Sequence, residues 1–348
     1  MSESSDLPLR RILVGDALQQ LKRLPDHAVD CVITSPPYFS MRDYNHPGQL
    51  GAEANVEAWA ANVATVCAEL WRVLTPSGAL WLNLGDGYSR HSGEGGTKKS
   101  LLLGPQRVAL RLTRSGWLLR NQVIWAKTNP MPSSVRDRFT TTHEFVYFFT
   151  KQSKYYFDLD AVREEPLSST TARGRPQQAS YPPRRAVPAL GGGTTARINL
   201  NEGLAALRTA GRGSHPLGKN PGDIWRVATA NYRDAHFATF PVELVRRPLL
   251  TTCPQRLCTT CGQPWRRAAQ MLGSRPLSTG RLEAACQCRG ESRAGIVLDP
   301  FIGSGTVALA AATYNRDWIG IELNPGYAQL ARRRIANWCT QQDIAKQF

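Results

Sequence analysis

Two short motifs near opposite ends of the chain contain residue types that could bind a ligand and act on it. The first, Thr34-Ser35-Pro36-Pro37-Tyr38, follows a largely apolar, strand-like run at residues 29–33. Two consecutive prolines stiffen the backbone and remove two N–H donors, so carbonyl oxygens are left to accept hydrogen bonds. Ser35 adds a hydroxyl group, and Tyr38 adds an aromatic face for a planar substrate. The motif predicts a rigid cluster of acceptors beside a stacking surface.

The second motif is Asp299-Pro300-Phe301-Ile302-Gly303-Ser304-Gly305-Thr306, between an apolar run and an Ala/Leu-rich segment. A strand that ends in Gly-x-Gly and opens a helix brings backbone N–H groups and the positive end of the helix dipole to one point. We interpret this motif as a cofactor-binding turn. Open α/β nucleotide folds usually place this turn after their first strand. Its late position therefore predicts a permuted order, with the catalytic half before the cofactor half.

Strand-like and helix-like patterns alternate around the two motifs. We predict strands at residues 12–14, 29–35, 79–84, 118–125, 144–149, 296–299 and 318–322, and helices at 57–74, 105–115, 306–314 and 325–338. This alternation predicts a mainly parallel α/β sheet with helices on both faces. Because neighbouring parallel strands end at the same edge, Asp299 and Ser35 should lie on either side of one cleft.

With these motifs in this order, the chain resembles the β-class DNA amino-methyltransferases, and most closely the N4-cytosine members that carry Ser-Pro-Pro-Tyr. Further segments match that family's motifs in its order, at residues 80–86, 123–127, 132–139, 143–149 and 234–241. The resemblance covers most of the chain. It implies a Rossmann-like fold that depends on S-adenosylmethionine (AdoMet), with permuted motif order.

The resemblance also implies a division of the chain. We expect the catalytic half at residues 1–160, a partly flexible target-recognition region at 161–220, and a segment that closes over the cofactor at 221–252. The resemblance places the AdoMet-binding half at 291–348, and the paired cysteines before it predict a small zinc-binding hairpin at 253–290. The segment from 166 to 220 is rich in Arg, Ser, Gly and Pro. A disordered linker is the alternative interpretation.

The implied activity is methyl transfer from AdoMet to an exocyclic amino group of a flipped DNA base. An amino nitrogen conjugated to the ring is a poor nucleophile, so the Ser35 hydroxyl and the Pro36 carbonyl would accept its protons and orient its lone pair. Serine at the first motif position is typical of N4-cytosine enzymes, whereas N6-adenine enzymes usually have Asp or Asn. An N6-adenine enzyme and an inactive DNA-binding relative are the alternatives. The implied catalytic residues are Ser35, Pro36, Pro37 and Tyr38.

For the cofactor, the resemblance implies contacts from both motifs and from the next strand. Glu322 ends that strand, where an acidic side chain accepts from ribose hydroxyls. Asp16, in Gly-Asp-Ala, is assigned to the adenine amino group, although such an Asp is often only a helix cap. The other expected cofactor residues are Thr34, Asp299, Pro300, Phe301, Gly303, Ser304, Gly305, Thr306, His236, Phe240 and Pro241.

Four of the eight cysteines form two close pairs, Cys258-x-x-Cys261 and Cys286-x-Cys288, separated by a basic stretch. Thiolates in such pairs suit tetrahedral zinc, so we predict a structural zinc site. A redox pair is the alternative for the first pair, but it leaves the second unexplained. Cys253 could replace one ligand, and Cys31, Cys67 and Cys339 are expected in the core.

Charge composition suggests a polyanionic partner. Lys and Arg number 43 against 27 Asp and Glu, which gives a net charge of +16. A merely solubilising surface is the alternative. We expect double-stranded DNA as the partner, in a cytoplasmic, nucleoid-associated protein without membrane segments. A homodimer and a cognate restriction endonuclease at the same site are further expected partners. The expected DNA-binding residues are Lys98, Lys99, Arg136, Arg138, Arg173, Arg175, Arg184 and Arg185.

Overall fold

A computed structural model describes residues 7–43, 46, 48–164, 217–230, 240–272, 275–288 and 290–345. The chain divides into two units: Met1–Val162 together with Gly222–Phe348, and Arg163–Pro221. In the second unit, Glu164 and Lys219 pair in an isolated antiparallel bridge, and their side chains form an ion pair at 3.3 Å. All helices and strands below belong to the first unit.

The first unit is built on an eight-stranded sheet in the order β1-β12-β11-β2-β3-β5-β4-β6. All its neighbouring strands are parallel except at β5, which is antiparallel to both β3 and β4. Two small antiparallel pairs, β7 with β10 and β8 with β9, stand apart from it. The strands are β1 Arg11–Val14, β2 Val29–Thr34, β3 Leu74–Leu84, β4 Leu118–Lys127, β5 His143–Thr150, β6 Ile224–Val227, β7 Leu257–Cys258, β8 Arg266–Leu272, β9 Arg275–Glu283, β10 Ser292–Arg293, β11 Ile296–Asp299 and β12 Asp317–Glu322.

Helices cover both faces of this sheet. They are α1 Ala17–Leu21, α2 Val56–Val73, α3 Gly104–Arg114, α4 Val242–Thr252, α5 Thr306–Thr313 and α6 Pro325–Ala345. On α2 the buried residues recur at helical spacing and pack with α3 against one face, while α4, α5 and α6 contribute to a second core cluster. All six residues of β2 are buried, as expected for a central parallel strand with helices on both sides.

The predicted mainly parallel α/β fold is confirmed, and most predicted elements lie within one or two residues of the observed ones. Helices α1 and α4 and strand β6 were not predicted, because they are short or interrupted by proline. Strand β3 begins at Leu74, five residues before the predicted start at residue 79, since α2 leads straight into it, and its register with β2 shifts between Val29 and Cys31. Cys31 and Cys67 are buried as expected, but Cys339 is exposed.

Among the residues that the structure describes, no helix has both the length and the apolar character required to cross a membrane.

Candidate active site and metal centre

The two motifs meet where β2 and β11 end side by side. The Thr34 hydroxyl donates a hydrogen bond of 2.6 Å to Asp299 Oδ1, which also accepts from the Phe301 N–H at 3.0 Å. Asp299 Oδ2 is buried and has no hydrogen-bond partner among the described residues. Burial raises the pKa of the Asp299 carboxyl to about 7. The end of β11 therefore holds an acidic group with one oxygen left for a donor on a ligand.

The glycine turn after Asp299 requires its glycines and is braced by Glu322. Gly303 and Gly305 have φ values of +48° and +83°, in the left-handed region that favours glycine. A Cβ on Gly305 would also lie 3.1 Å from Ile335 Cδ1. Glu322 accepts from the Gly303 N–H and from the Asn324 N–H, each at 3.0 Å. Its burial raises the pKa of the Glu322 carboxyl.

Other predicted cofactor residues also make contacts within the protein. Asp16 caps α1, since its Oδ1 accepts from the Gln19 N–H at 2.9 Å. Arg334 donates to the hydroxyls of Ser304 and Thr306 at 2.8 and 3.2 Å. Asp16, Ser304 and Thr306 nevertheless line the same cleft.

That cleft has a volume of about 860 Å³ and lies along the ends of the strands. Its walls bring together residues from both motifs and from the segment before α4; those predicted from the sequence are Asp16, Ser35, Pro36, Pro37, Tyr38, Phe240, Pro300, Phe301, Gly303, Ser304, Thr306 and Glu322. Thr34, Asp299 and Gly305 lie directly beside these residues in the chain, and Pro241 precedes α4. His236 lies outside the described residues.

A polar network surrounds the Ser-Pro-Pro-Tyr motif. Tyr38 OH donates to Glu144 Oε2 at 2.6 Å and lies 3.1 Å from Ser35 Oγ. Asn83 Nδ2 donates to Tyr38 OH at 2.6 Å and to Glu144 Oε2 at 2.8 Å. Lys127 Nζ lies 2.6 Å from Glu144 Oε1. The Pro37 carbonyl is already used, because it accepts from Trp59 Nε1 at 2.9 Å.

Sequence reasoning assigned no role to Asn83, Lys127 or Glu144, although all three lie within segments that match the family's motifs. A signal for them was present in the sequence. Each is a polar residue at or near the end of a strand whose other residues are largely apolar. Asn83 is only 5% exposed, and its Oδ1 has no hydrogen-bond partner among the described residues. Buried polar groups of this kind are expected to serve a ligand or a network.

Four of the expected DNA-binding residues are described, and they lie in two exposed loops. Lys99 pairs with Asp137 at 2.7 Å, and the Arg138 guanidinium lies 3.6 Å from the centre of the Tyr88 ring. These contacts join the loop that contains residues 98–99 to the loop that contains residues 136–138. Pro130, Met131 and Thr141, from the second loop, line the cleft. Arg173, Arg175, Arg184 and Arg185 lie outside the described residues.

The four paired cysteines form a second site. The sulfur atoms of Cys258, Cys261, Cys286 and Cys288 all lie within 4.8 Å of one another. Hydrogen bonds from the backbone N–H groups of Cys261 and Thr260 lower the pKa of the Cys258 thiol, and so favour the thiolate that binds metal. Cys253 is buried in the second core cluster.

The cysteine cluster is attached to the end of the sheet where β2 and β11 begin, opposite the cleft. Its strand β7 pairs with β10, where Arg293 donates to both carboxylate oxygens of Asp30 at 2.7 and 3.2 Å. Asp30 lies near the start of β2, and it also accepts from the N–H of Ile296, the first residue of β11. Ser35 and Asp299 follow or end these same strands at the other edge. The cluster is therefore placed to support the sheet and not to contact the cleft.

Comparisons with known proteins agree with this arrangement. The DNA methylase family, which groups N6 and N4 methyltransferases, matches residues 29–333. The Type II methyltransferase M.Cfr9I of Citrobacter freundii is 32% identical, over 96% of this chain and 90% of its own. M.XycI of Xanthomonas campestris pv. cyanopsidis, also a Type II methyltransferase, is 34% identical over 92% and 86%.

Solved structures share the fold. A putative DNA modification methylase of Thermus thermophilus, TTHA0409, solved with S-adenosyl-L-methionine, has a TM-score of 0.50 and 22% identity, over 94% of this chain and 95% of its own. The cytosine-N4-specific PvuII DNA methyltransferase has a TM-score of 0.51 and 18% identity, over 94% and 90%. Since the family match covers most of the chain and the two relatives exceed 30% identity, this chain belongs to the DNA methylase family of N6 and N4 amino-methyltransferases.

Proposed function

We propose that this protein transfers a methyl group from AdoMet to the exocyclic N4 of cytosine in double-stranded DNA, after the base has been flipped out of the helix. The observation that carries the proposal is the position of Ser35. Its neutral hydroxyl lies 3.1 Å from Tyr38 OH and lines a cleft that the AdoMet-type turn also lines. A serine at this place is typical of the N4-cytosine enzymes that the chain resembles.

The residues at the β11 end of the cleft fit AdoMet, which supplies an electrophilic methyl group. The unpaired Asp299 Oδ2 suits the ammonium of the methionine part, and a buried acceptor without a partner is costly until a ligand satisfies it. Glu322 has lone pairs left for ribose hydroxyls. Asp16, Phe240 and Pro241 would surround the adenine.

At the other end, the acceptors would orient the amino group of the base. Ser35 Oγ and the Pro36 carbonyl accept its two N–H bonds, which directs the nitrogen lone pair toward the methyl carbon. The Tyr38 hydroxyl is anchored by Glu144 and Asn83, so its ring is held ready to stack on the base. The same acceptors suit an adenine N6, so an N6-adenine enzyme is the second candidate.

The target atom is tested by digesting methylated DNA to nucleosides and measuring them by mass spectrometry. We expect N4-methylcytosine from the wild type, and a turnover rate that falls strongly in Ser35→Ala while AdoMet and DNA still bind. Ser153→Ala, at an exposed serine, is the control. N6-methyladenine without N4-methylcytosine would overturn the assignment of the base.

Recognition of a specific DNA sequence would come from residues 161–220, together with Lys98, Lys99, Arg136 and Arg138. The named relatives are Type II methyltransferases. A cognate restriction endonuclease that acts on the same site is therefore part of the proposal, as is a homodimer. Pairwise Arg→Ala changes within residues 166–220 test the recognition role. A variant set that methylates the same sites at the wild-type rate would refute it.

The four cysteines would hold one structural zinc ion. Four thiolates with this mutual spacing match tetrahedral zinc, whereas without a cation their charges would repel. Because the cluster lies at the edge of the sheet opposite the cleft, the ion would stabilise the 253–290 hairpin and take no part in methyl transfer. Elemental analysis of the purified protein is the test.

A further inference from the structure

Glu144 and Lys127 form an ion pair beside the proposed catalytic motif, and orientation of the amino group by Ser35 and Pro36 does not require it. Glu144 is the second residue of β5, and Lys127 is the last residue of β4. Their side chains are 14% and 24% exposed, and their charged atoms are 2.6 Å apart. The groups that face Glu144 are Lys127 from β4, Asn83 from β3 and Tyr38 from the loop after β2. The Lys127 ammonium therefore lies against the Glu144 carboxylate in a partly buried wall of the cleft.

The hydrogen bonds in this network can run in one direction only. The Glu144 carboxylate can only accept, and the Asn83 amide nitrogen can only donate. The opposite orientation of the Asn83 amide would place its oxygen against Glu144 Oε2. Tyr38 OH must therefore donate to Glu144 and accept from Asn83, and its second lone pair faces Ser35 Oγ at 3.1 Å. Ser35 donates its hydrogen to Tyr38. One lone pair of Ser35 Oγ faces Asn83 Nδ2 at 3.4 Å, and the other is left to accept from a substrate.

We infer that Glu144 accepts the proton that leaves the target amino group, through Ser35 and Tyr38; this rests on the proposed function. The amino nitrogen forms a bond to the methyl carbon, and the carbon–sulfur bond breaks with its electron pair on sulfur. One amino proton passes to Ser35 Oγ, the Ser35 hydrogen passes to Tyr38 OH, and the Tyr38 hydrogen passes to Glu144 Oε2. The products are a neutral methylamino group and a neutral Glu144 carboxyl.

Removing this proton matters because the nitrogen becomes positive as it attacks the methyl carbon. A positive charge on the nitrogen opposes further attack, so an acceptor connected to the nitrogen lowers the barrier. The other carboxylates that line the cleft, Asp16 and Glu322, accept from backbone N–H groups at its opposite side. Of the acidic residues that the structure describes, Glu144 is the one that hydrogen bonds connect to Ser35. Glu144 does not touch the base, and it acts through Tyr38 and Ser35.

The test compares a neutral network with the charged one. The double variant Glu144→Gln with Lys127→Met keeps an acceptor for Tyr38 and removes both charges. Single-turnover methylation should slow about 10²-fold, the lower end of what a positioned acid or base contributes, while the dissociation constants for AdoMet and DNA stay within about twofold. Lys127→Met alone should slow the reaction less. Glu144→Asp should react faster than the double variant, because it keeps a carboxylate at this position.

Tyr38→Phe is an independent second variant, since it keeps the aromatic ring and removes only the hydroxyl that links Ser35 to Glu144. It should slow the reaction to a similar extent, and adding Glu144→Gln and Lys127→Met should slow it little further. The wild-type rate should fall in D₂O, and the variants should lose most of that isotope effect. Glu57→Gln, at an ion-paired carboxylate on α2, is the control.

A wild-type single-turnover rate in the double variant or in Tyr38→Phe would overturn the inference and leave the network a purely structural role. The outcome is separate from the assignment of the base. If the wild type made N6-methyladenine, the proposed target atom would be wrong, and the same rate measurements would still decide whether Glu144 accepts the amino proton.

Discussion

Asp299→Asn should remove the pH dependence of AdoMet binding. In the wild type without cofactor, burial holds the pKa of Asp299 at about 7. The cofactor ammonium requires the ionised carboxylate, so binding below pH 7 must release a proton. Asparagine keeps the oxygen that accepts from Thr34 and Phe301, and it replaces the unpaired Oδ2 with a donor that repels an ammonium.

The size of the effect follows from the fraction of Asp299 that is ionised. With a pKa of about 7, this fraction rises about 25-fold between pH 5.5 and 7.5, which corresponds to about 1.9 kcal/mol at 1.36 kcal/mol per tenfold change. AdoMet affinity should rise by that factor in the wild type and stay flat in Asp299→Asn. Above about pH 8 the ammonium loses its own proton, so the useful window ends there. At pH 7.5 the variant should bind about 10- to 150-fold more weakly, because a hydrogen bond to a charged group contributes about 1.5–3 kcal/mol.

Calorimetric titration across this pH range is the assay. Asp26→Asn, at a mostly exposed carboxylate paired with Arg72, is the control and should keep the wild-type slope. Equal slopes in the wild type and Asp299→Asn would mean that the ammonium does not bind at Asp299. Glu322→Gln should also keep the wild-type pH dependence of AdoMet affinity, since Glu322 is assigned to the ribose and not to the ammonium.

The same carboxyl should appear in the stability of the cofactor-free protein. Its pKa is raised in the folded state, so the stabilising contribution is complete below about pH 4 and is lost as the pH rises through about 7. Relative to Asp299→Asn, the wild type should lose about 2.5 kcal/mol of unfolding free energy between pH 5 and pH 8. Urea denaturation at the two pH values measures this difference, and a constant difference would contradict the assigned pKa.

Three further results are expected. Purified protein should contain about one zinc ion per chain. Cys288→Ser should lose the ion and unfold at a lower temperature, whereas Cys339→Ser, at an exposed cysteine on α6, should keep the ion. A wild-type protein without metal would refute the zinc site. Arg136→Ala should weaken binding to all DNA sequences and reduce the salt-dependence slope by about 1, as measured by fluorescence anisotropy, while Arg114→Ala, at the end of α3 on the opposite edge, should not. Gly305→Ala should destabilise the fold by about 1–3 kcal/mol in denaturant unfolding, because its φ is +83° and its Cβ would press on α6; a neutral effect would show that the turn relaxes.

Local patterns were enough to predict the parallel part of the sheet. Strands such as β2 and β11 are largely apolar runs that end in motif residues, and α2 buries a regular helical stripe, so each element can be recognised from a single stretch of chain. The elements that were missed have weak local patterns. β6 has four residues, and α4 contains Pro248, which removes a hydrogen bond inside the helix.

The sequence alone also determined the family, because the residue types and order of the two motifs are readable without coordinates. The adjacency of Ser35 and Asp299 followed from strand order, since parallel neighbours end at one edge. Likewise, the spacing of Cys258, Cys261, Cys286 and Cys288 suggested a metal site before any distance was known.

Tertiary structure decided what depends on contacts between distant residues. The network around Tyr38 joins Glu144, Lys127 and Asn83, which lie on three different strands. No spacing along the sequence therefore reveals it. The raised pKa of Asp299 results from burial, which no single segment produces. The attachment of the cysteine cluster to the edge opposite the cleft depends on the Arg293–Asp30 pair, which joins residues 263 positions apart. Motifs specify which groups are available, whereas packing determines their partners, their charge and the direction in which a proton can move.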